Sequence, residues 1–118
     1  MTTSEMLHWQ WEGYPRYHRS RFNLLLHIVL VPLFLVSNAV LCIAIVQRSW
    51  PLVGVAVVFM VLSIVLQGRG HRGEPVPAEP FTSPGNAVLR IFLEQWVTFP
   101  RFVLSGGWWS ALRQQSAP

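Results

Sequence analysis

The chain has 118 residues, a formal net charge of +4, hydrophobic residues at 52% of positions and charged residues at only 12%, against roughly 25% in a soluble domain. That length suits one compact unit, and a single cysteine, Cys42, excludes an intramolecular disulfide framework and a cysteine-based zinc site. All nine basic residues are arginines, and they flank apolar stretches without forming a separate basic face; this favours membrane lipid as a partner and argues against nucleic acid.

The opening MTTSEMLHWQWEG reads as a polar tail. It lacks the basic start and short apolar core of a cleavable signal, so the apolar run behind it is expected to stay in the mature protein. That run, residues 22–46, carries no formal charge over 25 positions and is long enough to cross a bilayer as a helix. Ser20 is placed to cap it, and Pro32 within it removes the backbone bond to the Ile28 carbonyl. Gln47, Arg48 and Ser49 form a short link, and residues 50–66 make a second apolar span with Trp50 at an interfacial position and Pro51 in the first turn. A link this short makes the two helices antiparallel neighbours. Arg16, Arg19 and Arg21 precede the first span, Arg69 and Arg72 follow the second, and only Arg48 lies between them, so both termini are expected in the cytoplasm.

Residues 72–86 form a proline-rich loop, and residues 86–104 an apolar segment striped by Arg90, Glu94, Thr98 and Arg101. Arg90 and Glu94 have the spacing of an ion pair across one turn. Three charges in this stretch disfavour a third span and favour a helix that lies in the membrane interface or packs on the hairpin. The expected fold is therefore an all-α membrane protein: one membrane domain over residues 1–118, a two-helix transmembrane hairpin with a third, amphipathic and interfacial helix.

The hairpin has a chemical consequence. His18 lies just before the first span and His27 about 7.5 Å inside it, at 1.5 Å per residue. His71, beyond the second span, is carried back to the same level because the chain returns to its starting side. Nine residues of unbroken helix set His18 and His27 on opposite faces, so both reach one point only if the chain bends, with residues 20–23 the expected place. Tyr14 and His18, Asn23 and His27, and Gln67 and His71 are each four apart and can share a face. Neutral imidazoles are common ligands of iron, zinc and copper, and two or three with a carboxylate suit a non-haem Fe(II) site. The plainer reading is a set of interfacial histidines hydrogen-bonded to Asn23, Gln67 or main-chain carbonyls.

Around these residues the sequence resembles the small membrane proteins related to the fungal 2-hydroxy fatty acid dioxygenase. YPRYHRSRFNLLLHIVLVPL places Tyr14, His18, Asn23, His27 and Pro32 at that family's spacing. QGRGHRGEPVPAEPF supplies Gln67, Gly70 and His71, and EQWVTFPRFVLSGGWW is similar to the tail of bacterial members. The likeness covers roughly residues 9–109. Leu30 stands where family members often carry glycine, and the spacing from His71 to Glu74 is shorter than in the fungal pattern. The resemblance implies Fe(II) held by His18, His27 and His71, with Glu74, Asn23, Gln67 or Tyr14 as a further ligand or hydrogen-bonding support. It also implies a long-chain 2-hydroxy fatty acid as substrate, shortened by one carbon, and a bacterial inner-membrane location. Arg21, Arg69 or Arg72 would then pair with the substrate carboxylate. The alternative is a non-enzymatic small membrane subunit or scaffold that uses the hairpin for helix packing, with the histidines as polar glue. A hairpin this thin has little interior, so the third segment or a second copy in a homo-oligomer is expected to complete any site.

Overall fold

The computed structural model describes residues 1–114, which fold as helices with no strand among them. The frame is a hairpin of α2 (Arg21–Val46) and α3 (Trp50–Arg72). Ser20 caps α2, its side chain accepting from the Asn23 N–H. The chain reverses through Arg48, whose φ of 56° is left-handed, and the Ser49 N–H donates back to the Ala44 carbonyl. Ser37, Ala44, Ala56 and Ser63 are buried in the hairpin, and side chains this small let two helix backbones approach closely. The Ser63 hydroxyl donates to the Leu30 carbonyl at 2.6 Å.

Both hairpin helices are long and apolar enough to cross a membrane, with mean hydropathies of 2.7 and 2.3 in their most apolar stretches. Only 28% and 17% of those stretches are buried, whereas the core helix of a soluble protein is mostly covered. Val29, Val36, Ile43, Val58 and Val61 each stand more than half exposed.

The second helix does not stop at Leu66; it continues to Arg72 and carries His71 in its last turn. Arg69, His71 and Arg72 suit the negative end of the helix dipole. Gly70 sits directly under Asn23, where a Cβ would overlap the Asn23 Oδ1. The opening stretch is not a tail but a helix, α1 (Thr3–Tyr17), begun by a capping box in which Thr2 and Glu5 exchange side-chain and main-chain hydrogen bonds. The expected bend between His18 and His27 falls slightly earlier than residues 20–23. α1 ends at Tyr17, His18 leaves helical geometry, and Ser20 is extended.

The third segment begins at the Ser83 cap and runs as α4 (Pro84–Leu93), a π-helical turn (Glu94–Thr98) and α5 (Phe99–Leu104). Pro100 explains the wide turn. It has no N–H for the Trp96 carbonyl, and its ring would collide with that carbonyl in a regular α-helix. Gly106, at φ 84°, closes α5 and leads into α6 (Gly107–Gln114). Trp108 pins α6 to the hairpin by donating to the Leu24 carbonyl at 2.9 Å. Tyr14, Leu24, Val31, Phe99, Phe102 and Leu112 form the core. It sits at the end of the hairpin where the chain enters and leaves, while the far end is two helices alone.

Candidate metal centre

Three imidazoles and one carboxylate converge inside this end. His18, His27, His71 and Glu94 each offer a ligand atom, and these atoms lie within 4.8 Å of one another. The ring centroids are 4.9 Å apart for His18–His27, 4.6 Å for His18–His71 and 5.0 Å for His27–His71, with planes at 83° to 89°. Three near-perpendicular rings aim their nitrogens inward without stacking on one another.

Each ring reaches this position for a local reason. His18 Nδ1 lies 3.0 Å from the Tyr14 carbonyl and His27 Nδ1 3.0 Å from the Asn23 carbonyl, both one helical turn back. A carbonyl accepts only, so both Nδ1 atoms carry the proton and both Nε2 atoms present lone pairs to the cluster. This is how metal-ligating histidines are commonly oriented. Tyr14 also stacks flat on His18 at 3.7 Å. His18 Nε2, His27 Nε2 and His71 Nδ1 are buried and have no hydrogen-bond partner. Orphaned buried nitrogens are costly, and one cation among them would satisfy all three. The donor set therefore fits a metal ion: three nitrogens and an oxygen, with no thiolate.

Glu94 is the carboxylate the sequence reading left out of the site. Its Oε2 lies 3.3 Å from His18 Nε2 and 3.7 Å from His27 Nε2, and it accepts the Tyr14 hydroxyl at 2.8 Å. Burial by itself would raise its carboxyl; the surrounding His18, His27 and His71 outweigh that and hold it below its ordinary value, so it faces the cluster as a carboxylate. The Tyr14 phenol is pushed well above its ordinary value, first by burial and then by Glu94. The expected Arg90–Glu94 hydrogen-bonded pair does not form. Arg90 donates to the carbonyls of Glu79 and Pro80 and lies over the rings of Trp9 and Phe81. The signal for Glu94 was its place on a polar stripe within an apolar helix, but that stripe admitted a simpler salt-bridge explanation.

The remaining expected residues lie around the cluster, outside the four converging donors. Glu74 does not join the cluster. It accepts from the main-chain N–H groups of Arg19 and Ser20 and from Asn23 Nδ2 at 2.7 Å, locking the α1–α2 junction to the end of α3. Asn23 supports His27 through its carbonyl and Glu74 through its amide. Gln67 does not face the metal position; it forms a reciprocal amide pair with Gln95 at 2.9 and 2.8 Å, and also donates to Ser63. Arg21, Arg69 and Arg72 are exposed. Arg72 borders a cavity of about 250 Å³ beside Glu74.

A second cavity, of about 270 Å³, opens beside the cluster, walled by α1, α3, the proline-rich loop and α4. Tyr14, His18, His71 and Glu94 line its inner end, and Arg90, not Arg21 or Arg69, is the arginine on its wall. Comparison with protein-family models, with curated proteins and with solved structures gives no match.

Proposed function

We propose that this chain is a membrane-embedded, iron-dependent dioxygenase that cleaves 2-hydroxy fatty acids to the fatty acid one carbon shorter. The observation that carries the metal part is the convergence of three unpartnered imidazole nitrogens and the Glu94 carboxylate in a buried site. The resemblance of the histidine segments supplies the substrate. A packing role asks for no such set of orphaned nitrogens, which weighs against a scaffold.

In this reading α2 and α3 span the bilayer and both termini face the cytoplasm of a bacterial inner membrane. The third helix lies in the interface. Val88, Phe92 and Trp96, at four-residue spacing, are exposed and suit the acyl boundary, while Gln95 and Thr98 turn inward.

Fe(II) held by His18, His27, His71 and Glu94 would supply redox activation of dioxygen, and four protein donors leave room for further ligands. The chain's own residues hold the geometry. The Tyr14 and Asn23 carbonyls fix the tautomers of His18 and His27. The Tyr14 hydroxyl fixes one oxygen of Glu94, and Phe99, close to both Tyr14 and His27, helps exclude water. The overall reaction balances with dioxygen as sole oxidant: R–CH(OH)–COOH plus O2 gives R–COOH, CO2 and H2O.

The test is anaerobic Fe(II) loading of detergent-purified protein followed by oxygen uptake with 2-hydroxypalmitate. One iron per chain and release of pentadecanoate are expected, with both lost in His27→Ala. A wild-type chain that holds no iron and turns over no 2-hydroxypalmitate would remove the proposal.

A further inference from the structure

The cavity beside the cluster has a direction. His71, Gly68 and Ile64 all line it, and at spacings of three and four they occupy one face of α3. From His71 to Ile64 the face descends about 10 Å at 1.5 Å per residue, from the metal cluster toward the apolar part of the span. On the opposite wall, Glu94 and Ile91 are three residues apart on the third segment. Ile64 and Ile91 thus give the cavity an apolar wall that leads away from the cluster, beside a polar wall that carries Gln10, Glu79 and Arg90.

Its outer side is thinly closed. Among the described residues, the Gln67–Gln95 pair makes the only side-chain hydrogen bonds between α3 and residues 84–104. Gly68 lies in a regular helix, and a Cβ built there meets nothing within 4 Å. Glycine at this position answers no need of the backbone, and it weakens a helix by roughly 1 kcal/mol relative to alanine. What it provides is open space at the cavity wall. The volume of about 270 Å³ falls just below the range of about 300–1,000 Å³ usual for small-molecule pockets. It holds the head of an amphiphile and its first methylenes, not a whole long chain.

We propose that this cavity is a side portal to the bilayer, its width set by Gly68, through which the alkyl chain of a bound amphiphilic acid runs out into lipid. The proposal rests on the metal-site reading, because the acid's head would sit at the cluster. It makes Gly68 a specificity-determining residue: side chains placed there block long-chain acids and spare short ones.

The test uses full-length protein in lipid nanodiscs, loaded with Co(II), whose visible absorption reports ligands arriving at the metal without turnover. Wild-type protein, Gly68→Ala, Gly68→Leu and Gly68→Phe are titrated with 2-hydroxypalmitate and with 2-hydroxybutanoate. All four are expected to bind one Co(II) with the same spectrum and to respond alike to 2-hydroxybutanoate. The 2-hydroxypalmitate response should weaken with side-chain size, by about tenfold or more for Gly68→Phe, equivalent to roughly 1.4 kcal/mol. If Gly68→Phe loses Co(II), Gly68→Leu carries the comparison. Unchanged 2-hydroxypalmitate binding in the variants that retain Co(II), or equal loss of both acids, overturns the portal alone. A wild-type chain that takes up no Co(II) overturns the metal reading, and the portal with it.

Discussion

Replacing Glu74 or Glu94 by alanine separates a structural carboxylate from a metal-binding one. Glu74 accepts three N–H donors: Arg19 N at 2.8 Å, Ser20 N at 3.0 Å and Asn23 Nδ2 at 2.7 Å. Hydrogen bonds to charged groups contribute about 1.5–3 kcal/mol each, and the cost is greatest where the surviving partner stays buried. Arg19 and Ser20 lie at a junction where water can replace the carboxylate, so their loss is small. Asn23 is fully buried, and its amide would be stranded. Glu74→Ala should therefore destabilise the metal-free protein by about 3 kcal/mol, a fall of roughly 10 °C in Tm. Metal affinity should drop only indirectly, within the 10–100-fold range typical of residues that support ligands. Glu94→Ala should do the opposite: Tyr14 borders the cavity, where water can replace the lost carboxylate, so the change in metal-free Tm is the smaller one and the loss of metal affinity is large. Circular-dichroism melting in detergent, paired with Co(II) titration, reads both. Unchanged melting of Glu74→Ala together with complete loss of metal would refute this assignment and make Glu74 the ligand.

Three further outcomes are expected. A divalent metal should stabilise the fold by RT ln(1 + [metal]/Kd) and so raise Tm, and EDTA should reverse the rise; a Tm indifferent to both would count against a folded-state metal site. Tyr14→Phe should flatten the alkaline loss of stability. The phenol is raised in the folded protein, so its contribution is intact below about pH 10 and is lost as pH climbs from there toward the folded value; identical alkaline limbs for wild type and variant would refute this. Gly70→Ala should separate α2 from α3 beside the cluster, because the new Cβ overlaps Asn23 Oδ1, costing about 1–3 kcal/mol by overpacking, whereas Gly68→Ala should melt at or above wild type.

The hairpin was legible because 25 uncharged residues followed by a three-residue link leave few alternatives. The meeting of His18, His27 and His71 at one level was legible from the same topology, and the bend between the first two followed from helical phase alone. The carboxylate was not. Glu74 stands three residues from His71 in sequence, yet the turn ending α3 points it at the start of α2. Glu94 enters the cluster because a π-helical turn, α1 and the His18 break all meet there, and no spacing rule encodes a meeting of three elements. α1 left a signal that the polar-tail reading passed over: Thr2 and Glu5 at capping-box spacing, then Met6, Gln10 and Tyr14 four apart on one face. The π-helical turn likewise traces to Pro100, which the sequence displays but whose effect depends on the helix being held in place on both sides.

The uneven coverage of the hairpin follows from the chemistry at its near end. An apolar helix in lipid needs no protein cover, and from Val36 to Val61 only Ser37, Ala44 and Ala56 are buried. Three imidazoles and a carboxylate are different: each needs hydrogen-bond partners on its outer side and little water around it. α1 supplies Tyr14 and Gln10, with Gln10 bonding both the Arg90 carbonyl and the Thr98 hydroxyl. The third segment supplies Glu94 and the Gln95 tie to α3, and α6 covers Leu24 through Trp108. Every element added to the bare hairpin thus either carries a donor or holds one in place. If that is the reason for the extra helices, unfastening α1 by Gln10→Ala should weaken metal binding although Gln10 has no contact with the cluster. The same change should leave the α2–α3 hairpin intact by circular dichroism. Equal metal affinity in Gln10→Ala and wild type would show that α1 acts only through Tyr14 and His18, and that its docking on the third segment is incidental to the site.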